Sequence, residues 1–255
     1  MRRHHRSVFA LLAGLALLLT ACGGGEGPSL AKEKTPGLAN SPGVTTPARG
    51  DYIVEAAVPM LEVYDEPDAP TPSSEYENPW YYATDTQKKY PINSVFFSDD
   101  QKPGWVRVLL PVRPNGSTGW VKASDVRLVP SRYRIDVDLS DHELTVYDGD
   151  QVFLQDTVAI GKPSTPTPIG RFYLRILVKP PDPTTVYGPY AFGLSSHSDA
   201  FEEFNGGEAQ VGIHGNNDAS VLGQDVSSGC IRMDNDAISR LATELPLGTP
   251  VDVHA

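Results

Sequence analysis

The sequence predicts a mostly β protein with one late helix, and three observations predict it. Short β-prone runs recur between turn residues from residue 51 onwards. The 255 residues include 23 Gly and 23 Pro, which supply those turns. Only one stretch, near the C-terminus, carries an apolar stripe at helical spacing. Hydrophobic residues make up 40% of the chain, enough for a packed core, and the formal net charge is −11. That charge points away from nucleic acid, since a polyanion is met by a basic surface.

The first element is a targeting segment. Arg2, Arg3 and Arg6 precede an apolar run over residues 8–19, too short for a stable membrane-spanning helix, and Leu19-Thr20-Ala21-Cys22 follows. A basic start, a short apolar stretch and small residues at the cut describe an export signal. With Cys next, it resembles a lipoprotein signal over 1–21, in which Cys22 is acylated and becomes the new N-terminus. Removing 1–21 takes away three Arg and no acid, so the mature chain carries 18 basic and 32 acidic residues, a net charge of −14. Such a surface does not attract anionic headgroups. Lipid on Cys22 would hold the protein to the membrane, at about 0.8 kcal/mol per buried methylene. The expected location is the cell envelope, exported and lipid-anchored, on the outer face of the cytoplasmic membrane or in the periplasm. If Cys22 is lipidated, Cys230 has no disulfide partner, because the chain has two Cys. A lone thiol in an exported chain is a candidate reactive group, although the count alone leaves a small buried Cys equally open.

Residues 22–50, rich in Gly, Pro, Ser, Thr and Ala without an apolar period, read as the lipidated Cys and a flexible linker. Residues 51–130 then alternate β-prone runs (53–58, 61–64, 94–97, 105–111, 119–121) with turn clusters, the pattern of a small antiparallel barrel. Gly104-Trp105-Val106-Arg107-Val108 and Gly119-Trp120-Val121 resemble the closing strands of the bacterial SH3-like domain family. That resemblance implies a module that binds wall peptides or positions a neighbouring enzyme. Core packing is the plainer role for Trp105 and Trp120.

Residues 131–255 form the last segment. Tyr133, Ile135, Val137 and Leu139 alternate with polar residues as in a half-buried strand, and 144–147 with 152–158 make a hairpin around Asp148-Gly149-Asp150. Strands are expected at 171–178, at 211–213 leading into His214, and at 251–253. The helix follows Asp234 as cap, carries Ile238, Leu241 and Leu245, and stops at Pro246 and Gly248. His142 falls in a polar turn, His197 in a Ser-rich loop and His254 near the end.

Two spots concentrate reactive groups: Val211-Gly212-Ile213-His214-Gly215-Asn216 and Ser227-Ser228-Gly229-Cys230-Ile231-Arg232-Met233. A free thiol, with a pKa of about 8.5, is mostly protonated at neutral pH, and an imidazole can take its proton. Acyl transfer also needs donors for an oxyanion, and Ser228-Gly229 lets backbone N–H groups approach the reacting carbonyl. Gly215 permits a tight turn beside His214. A Cys and a His alone are also compatible with an ordinary core histidine. No H-E-x-x-H motif, paired Cys ligands or nucleotide-binding Gly loop is apparent, so neither a metal nor a cofactor is expected.

Taken together, "IHGN", the twelve residues from Gly215 to Val226 that separate His214 from Ser227, and "SSGCIRM" resemble the signature of the L,D-transpeptidase catalytic (YkuD-type) family. The "IGKPSTPTPIGRF" block over 160–172 and "YGPYA" over 187–191 agree with it in order. The resemblance implies an L,D-transpeptidase-type β-sandwich after the SH3-like barrel, with Cys230 as nucleophile and His214 as base. It implies substrate or oxyanion contacts from Ser227, Gly229 and Arg232, with Ser228, Gly215 and Asn216 at neighbouring positions. Ser228 departs from a frequent His and Asn216 from a frequent Ser or Thr, which leaves open whether a backbone carbonyl or Asn216 orients His214. The plainer reading of Arg232 is a structural ion pair, and of 165–168 a rigid strand entry; the resemblance favours a pocket role for Arg232. The implied activity is 3→3 cross-linking of peptidoglycan tetrapeptide stems through a Cys acyl-enzyme, with carbapenem-type β-lactams as inhibitors. Water as acceptor would give an L,D-carboxypeptidase and a protein lysine an attachment enzyme. A catalytically dead wall-binding adaptor is the non-enzymatic alternative.

Overall fold

The computed structural model describes residues 29–30, 50–83, 89–204 and 207–255. The signal segment, Cys22 and the expected linker lie outside these residues, apart from Ser29–Leu30 and Gly50. The fold is mostly β, with a single α-helix among the described residues, Asn235–Glu244.

Five antiparallel strands make the first sheet, in the spatial order Val126–Pro130, Tyr52–Ala56, Val95–Lys102, Trp105–Leu109, Thr118–Lys122. Pro103-Gly104 closes one hairpin, with Gly104 at φ 80°, a conformation that favours glycine. Period-2 alternation sends Val106 and Val108 inward, onto Val54, Leu61, Phe96 and Val121. Trp120 is buried and Trp105 stands half-buried with its ring edge-on to Tyr64 at 5.2 Å. Two further strand pairs extend the sequence reading: Ser74–Glu77 pairs with Met60–Val63, and Trp80–Ala83 pairs with Lys89–Ile92.

The second sheet has nine strands. Its path runs Gln151–Thr157, Glu143–Asp148, Tyr133–Asp138, Pro250–His254, Gly170–Lys179, Ala191–His197, Gln210–His214, Ile231–Arg232, and Ser29–Leu30 pairs onto Val178 and Lys179. Two pairings are parallel, Tyr133–Asp138 with Pro250–His254 and Gln210–His214 with Ile231–Arg232. Ile135, Leu144, Leu174, Ile213 and Ile231 pack beneath the helix residues Ile238 and Leu241. The helix begins where expected, with the Asp234 carboxylate accepting from the N–H groups of Asp236 and Ala237. His197 is not in a loop: it ends the Ala191–His197 strand and is buried. Antiparallel pairing with Gln210 draws it into the sheet.

Strand Gly170–Lys179 joins the two sheets. Phe172 and Leu174 face the second core, so Tyr173 must point the other way, and it inserts fully buried into the first core. Its ring lies 6.4 Å from Phe96. On the same face Arg171 bonds Asp252 at 2.6 Å and Asp99 at 3.2 Å, and Arg175 sits 4.6 Å over the Trp80 ring. A second lock forms at the 111–117 loop. There Arg113 Nη2 donates to the carbonyls of Ser198, Phe201 and Glu208 at 3.3, 2.8 and 3.0 Å. Asn115 accepts from the His197 N–H at 2.9 Å and donates to its carbonyl at 2.7 Å.

All three Trp lie between residues 80 and 120, Trp105 and Trp120 in the first sheet and Trp80 beside it against Arg175, so their fluorescence reports mainly on the 51–130 segment and its contact with the Gly170–Lys179 strand. In urea, fluorescence and far-UV circular dichroism are expected to change together in the native protein. Tyr173→Ala should cost about 3–5 kcal/mol and separate the two transitions. Because the Tyr173 hydroxyl is buried without a hydrogen-bond partner, Tyr173→Phe should leave stability unchanged or raise it slightly.

Candidate active site

Strand register builds the site. In the parallel pair, Ile213 lies opposite Ile231 and His214 opposite Arg232. Both Ile side chains enter the core, so His214 and Arg232 project from the other face. Cys230 directly precedes Ile231 and joins that face one rung away, beside Gly212, whose backbone hydrogen-bonds the sulfur. The position opposite Cys230 has no room for a side chain: a Cβ on Gly212 would meet the Phe192 carbonyl oxygen at 2.6 Å.

The turn before Cys230 is held by its own hydroxyl. Ser227 Oγ accepts from the Gly229 N–H at 3.0 Å and donates to the Cys230 carbonyl at 2.5 Å. Gly229 sits at φ 114°, which favours glycine. Ser227 is buried and Ser228 exposed, so the turn presents Ser228 to solvent while Ser227 works inside it.

A second loop braces this turn. Thr165 Oγ1 donates to the Ser227 carbonyl and Thr167 Oγ1 to the Gly229 carbonyl, both at 3.0 Å. Thr167 in turn accepts from the Gly161 N–H at 2.9 Å. Both Thr are buried, so the 165–168 stretch is more than a rigid strand entry. Sequence reasoning did not place Thr165 and Thr167 in the site. The available signal was the alternation with Pro166 and Pro168, whose missing N–H groups leave the hydroxyls as donors.

His214 is buried, with Nδ1 2.7 Å from the Gly215 carbonyl oxygen. A carbonyl only accepts, so Nδ1 carries the proton and Nε2 has the lone pair of a base. The orienting group is thus a backbone carbonyl. Asn216 serves elsewhere: its Nδ2 donates to the Met233 carbonyl at 2.7 Å, and its backbone pairs with the Asn235 side chain. Tyr187, from the 180–190 loop, stands edge-on to the imidazole at 5.0 Å.

Burial dominates the electrostatics. It lowers the His214 pKa to about 4, assisted by the Arg232 charge and opposed by the carbonyls of Gly215 and Val186. Burial also raises the Cys230 thiol, against the Gly212 hydrogen bond and Arg232, which favour the thiolate. At neutral pH the resting pair is therefore a thiol and a neutral imidazole. Arg232 acts on both groups, its Nε is buried without a hydrogen-bond partner, and no carboxylate forms an ion pair with it among the described residues. A structural ion pair does not account for it. The arrangement offers a nucleophile, a base with a fixed tautomer and a free cationic donor, the parts required for acyl transfer at sulfur.

The family model for "L,D-transpeptidase catalytic domain" (YkuD) matches residues 132–253. The "Putative L,D-transpeptidase YkuD" of Bacillus licheniformis is 33% identical over 154 residues, spanning 58% of this chain and 85% of that relative. The protein of the same description from Bacillus subtilis is 34% identical over 122 residues, 48% of this chain and 66% of the relative. Among solved structures, Bd1075 of Bdellovibrio bacteriovorus is 29% identical, with a TM-score of 0.39 over 49% of this chain and 48% of that one.

The depressed His214 pKa has a consequence for stability. The unfolded chain binds a proton at this residue below its ordinary pKa of about 6.5, while the folded chain does not until about pH 4. Stability should therefore fall as pH drops from 6.5 towards 4, by up to about 3 kcal/mol from this residue. Urea denaturation of the native protein and His214→Gln across that range checks it: the difference between them should change with pH by that amount.

Proposed function

Because the chain belongs to the L,D-transpeptidase catalytic domain (YkuD) family, we propose that it is a cysteine acyltransferase that forms 3→3 cross-links in peptidoglycan. Cys230 is the nucleophile and His214 the base. The observation that carries this reading is the register that sets Cys230, His214 and Arg232 on one face, with His214 Nδ1 occupied by Gly215 and Nε2 left as the proton acceptor.

The reaction follows from a neutral resting pair. Cys230 sulfur attacks the carbonyl before the terminal D-Ala of a tetrapeptide stem while Nε2 of His214 takes the thiol proton. The oxyanion is met by the Cys230 backbone N–H, on a turn kept open by Gly229 and fixed by Ser227. His214 returns the proton to the departing D-Ala amine as the C–N bond breaks, leaving a thioester. The side-chain amine of a diamino acid on a second stem attacks the thioester and loses its proton to His214. The sulfur leaves and is reprotonated. Arg232 Nε, buried and unpaired, supplies positive charge for the carboxylate-rich donor or the oxyanion.

The same reading assigns residues 131–255 as the catalytic domain and 51–130 as an SH3-like domain, supported by the five-stranded antiparallel sheet. Residues 1–21 are a lipoprotein signal and lipid on Cys22 holds the protein in the envelope, supported by Leu19-Thr20-Ala21-Cys22.

A carbapenem supplies an activated carbonyl that this sulfur can open to a stable ester of the thiol. Intact-mass measurement after incubation should show one added carbapenem mass. It should be absent in Cys230→Ala and formed at least about 100-fold more slowly in His214→Ala. Digests of isolated peptidoglycan treated with the protein should gain 3→3 dimers. Tripeptides alone would point to water as acceptor. An unmodified, folded native protein would overturn the enzyme reading in favour of a wall-binding adaptor.

A further inference from the structure

We propose that Asn235 is a positioning residue for His214, acting through the Gly215–Asn216 peptide group; the inference rests on the reading of His214 as base. Asn235 Oδ1 accepts from the Asn216 N–H at 2.9 Å, and its Nδ2 donates to the Asn216 carbonyl at 3.0 Å. The side-chain amide thus pairs with the Asn216 backbone as a neighbouring strand would. The N–H it holds belongs to the peptide unit whose carbonyl is Gly215 C=O, the group that receives the His214 Nδ1 proton at 2.7 Å.

A trans peptide is planar, and its N–H and C=O point in opposite directions. Fixing one end therefore fixes the other. The chain of contacts runs from Asn235 Oδ1 through one rigid plane to the imidazole. An engaged N–H also polarises its carbonyl, which strengthens the bond to Nδ1–H and favours the tautomer with Nε2 free.

The placement is tight on two sides. A Cβ added to Gly215 would overlap Asn235 Oδ1, and one on Gly188 would come within 2.5 Å of it. Gly188 follows Tyr187, whose ring packs against the imidazole. One amide therefore sits against both the carbonyl below His214 and the loop beside it. Its own position is set by the Asp234 cap, which fixes the helix start at Asn235. Asn216 ties the arrangement to the nucleophile strand, because its Nδ2 holds the Met233 carbonyl while the Met233 N–H donates to the His214 carbonyl at 2.9 Å.

The test follows carbapenem acylation by the loss of β-lactam absorbance at pH 8, where the imidazole is neutral, alongside the imidazole ¹⁵N spectrum. Asn235→Ala should lower the acylation rate at saturation about 10- to 100-fold, with little change in the half-saturating concentration. Its spectrum should show the Nε2–H tautomer appearing beside the Nδ1–H form. Asn235→Asp keeps the acceptor for the Asn216 N–H and should retain the native tautomer and most of the rate, which covers the case in which Asn235→Ala does not fold. A folded Asn235→Ala with native tautomer and rate overturns the inference, and so does a folded Asn235→Asp that loses the tautomer. His214→Ala runs in parallel: if it acylates like the native protein, the assignment of His214 as base fails first. If it is inactive while Asn235→Ala is unaffected, only the role of Asn235 fails.

Discussion

The short parallel pairing of Gln210–His214 with Ile231–Arg232 is the constraint on which the site depends. Only two rungs join these strands, yet they decide which side chains share a face. Strand side chains alternate, so a slip of one residue would send Cys230 inward and Ile231 outward. The core prevents that slip, because Ile213 and Ile231 are both fully buried and have nowhere else to go. Hydrophobic burial on one side of the sheet thereby sets the chemistry on the other. The hydroxyls of Ser227, Thr165 and Thr167 complete the work by satisfying the carbonyls of a turn that makes few regular ladder bonds.

Burial shapes the reactivity as strongly as register does. Removing the imidazole and the thiol from water penalises their charged forms, which a Cys–His pair in solvent would populate more readily. The site therefore rests neutral, and charge appears only as a bond forms. Arg232 stands beside both groups and favours the thiolate while opposing the imidazolium, so it biases the pair towards giving its negative charge to sulfur or oxygen. A backbone carbonyl, that of Gly215, provides at Nδ1 the orientation that many hydrolases and transferases draw from a carboxylate, and it does so without adding another buried charge.

Much of this was legible in the sequence because it is local. Alternation exposed the strands around Tyr133 and Leu144, and Asp234 with Ile238 and Leu241 marked the one helix with its cap. The His214 and Cys230 blocks stood out through their glycines. Other features escaped because their causes are distant. Ser74–Glu77 has a polar sequence and becomes a strand only by pairing with Met60–Val63. Tyr173 reads as one more residue of a β run, and nothing nearby announces that it fills a core built mostly from residues 54–121. His197 reads as part of a Ser-rich loop because its strand exists through Gln210 and the bonds of Asn115, 82 residues earlier. Asn235 looked like an ordinary polar residue in the first turn of a helix, since its partner peptide lies 19 residues away.

The neutral resting thiol also bears on chemical durability. Peroxides and disulfides react with thiolates far faster than with thiols. Burial raises the Cys230 pKa, which keeps the sulfur mostly as the thiol at neutral pH. The burial that keeps the resting sulfur a thiol thus slows its conversion to sulfenic and sulfinic acids, a protection that comes from desolvation and needs no disulfide partner.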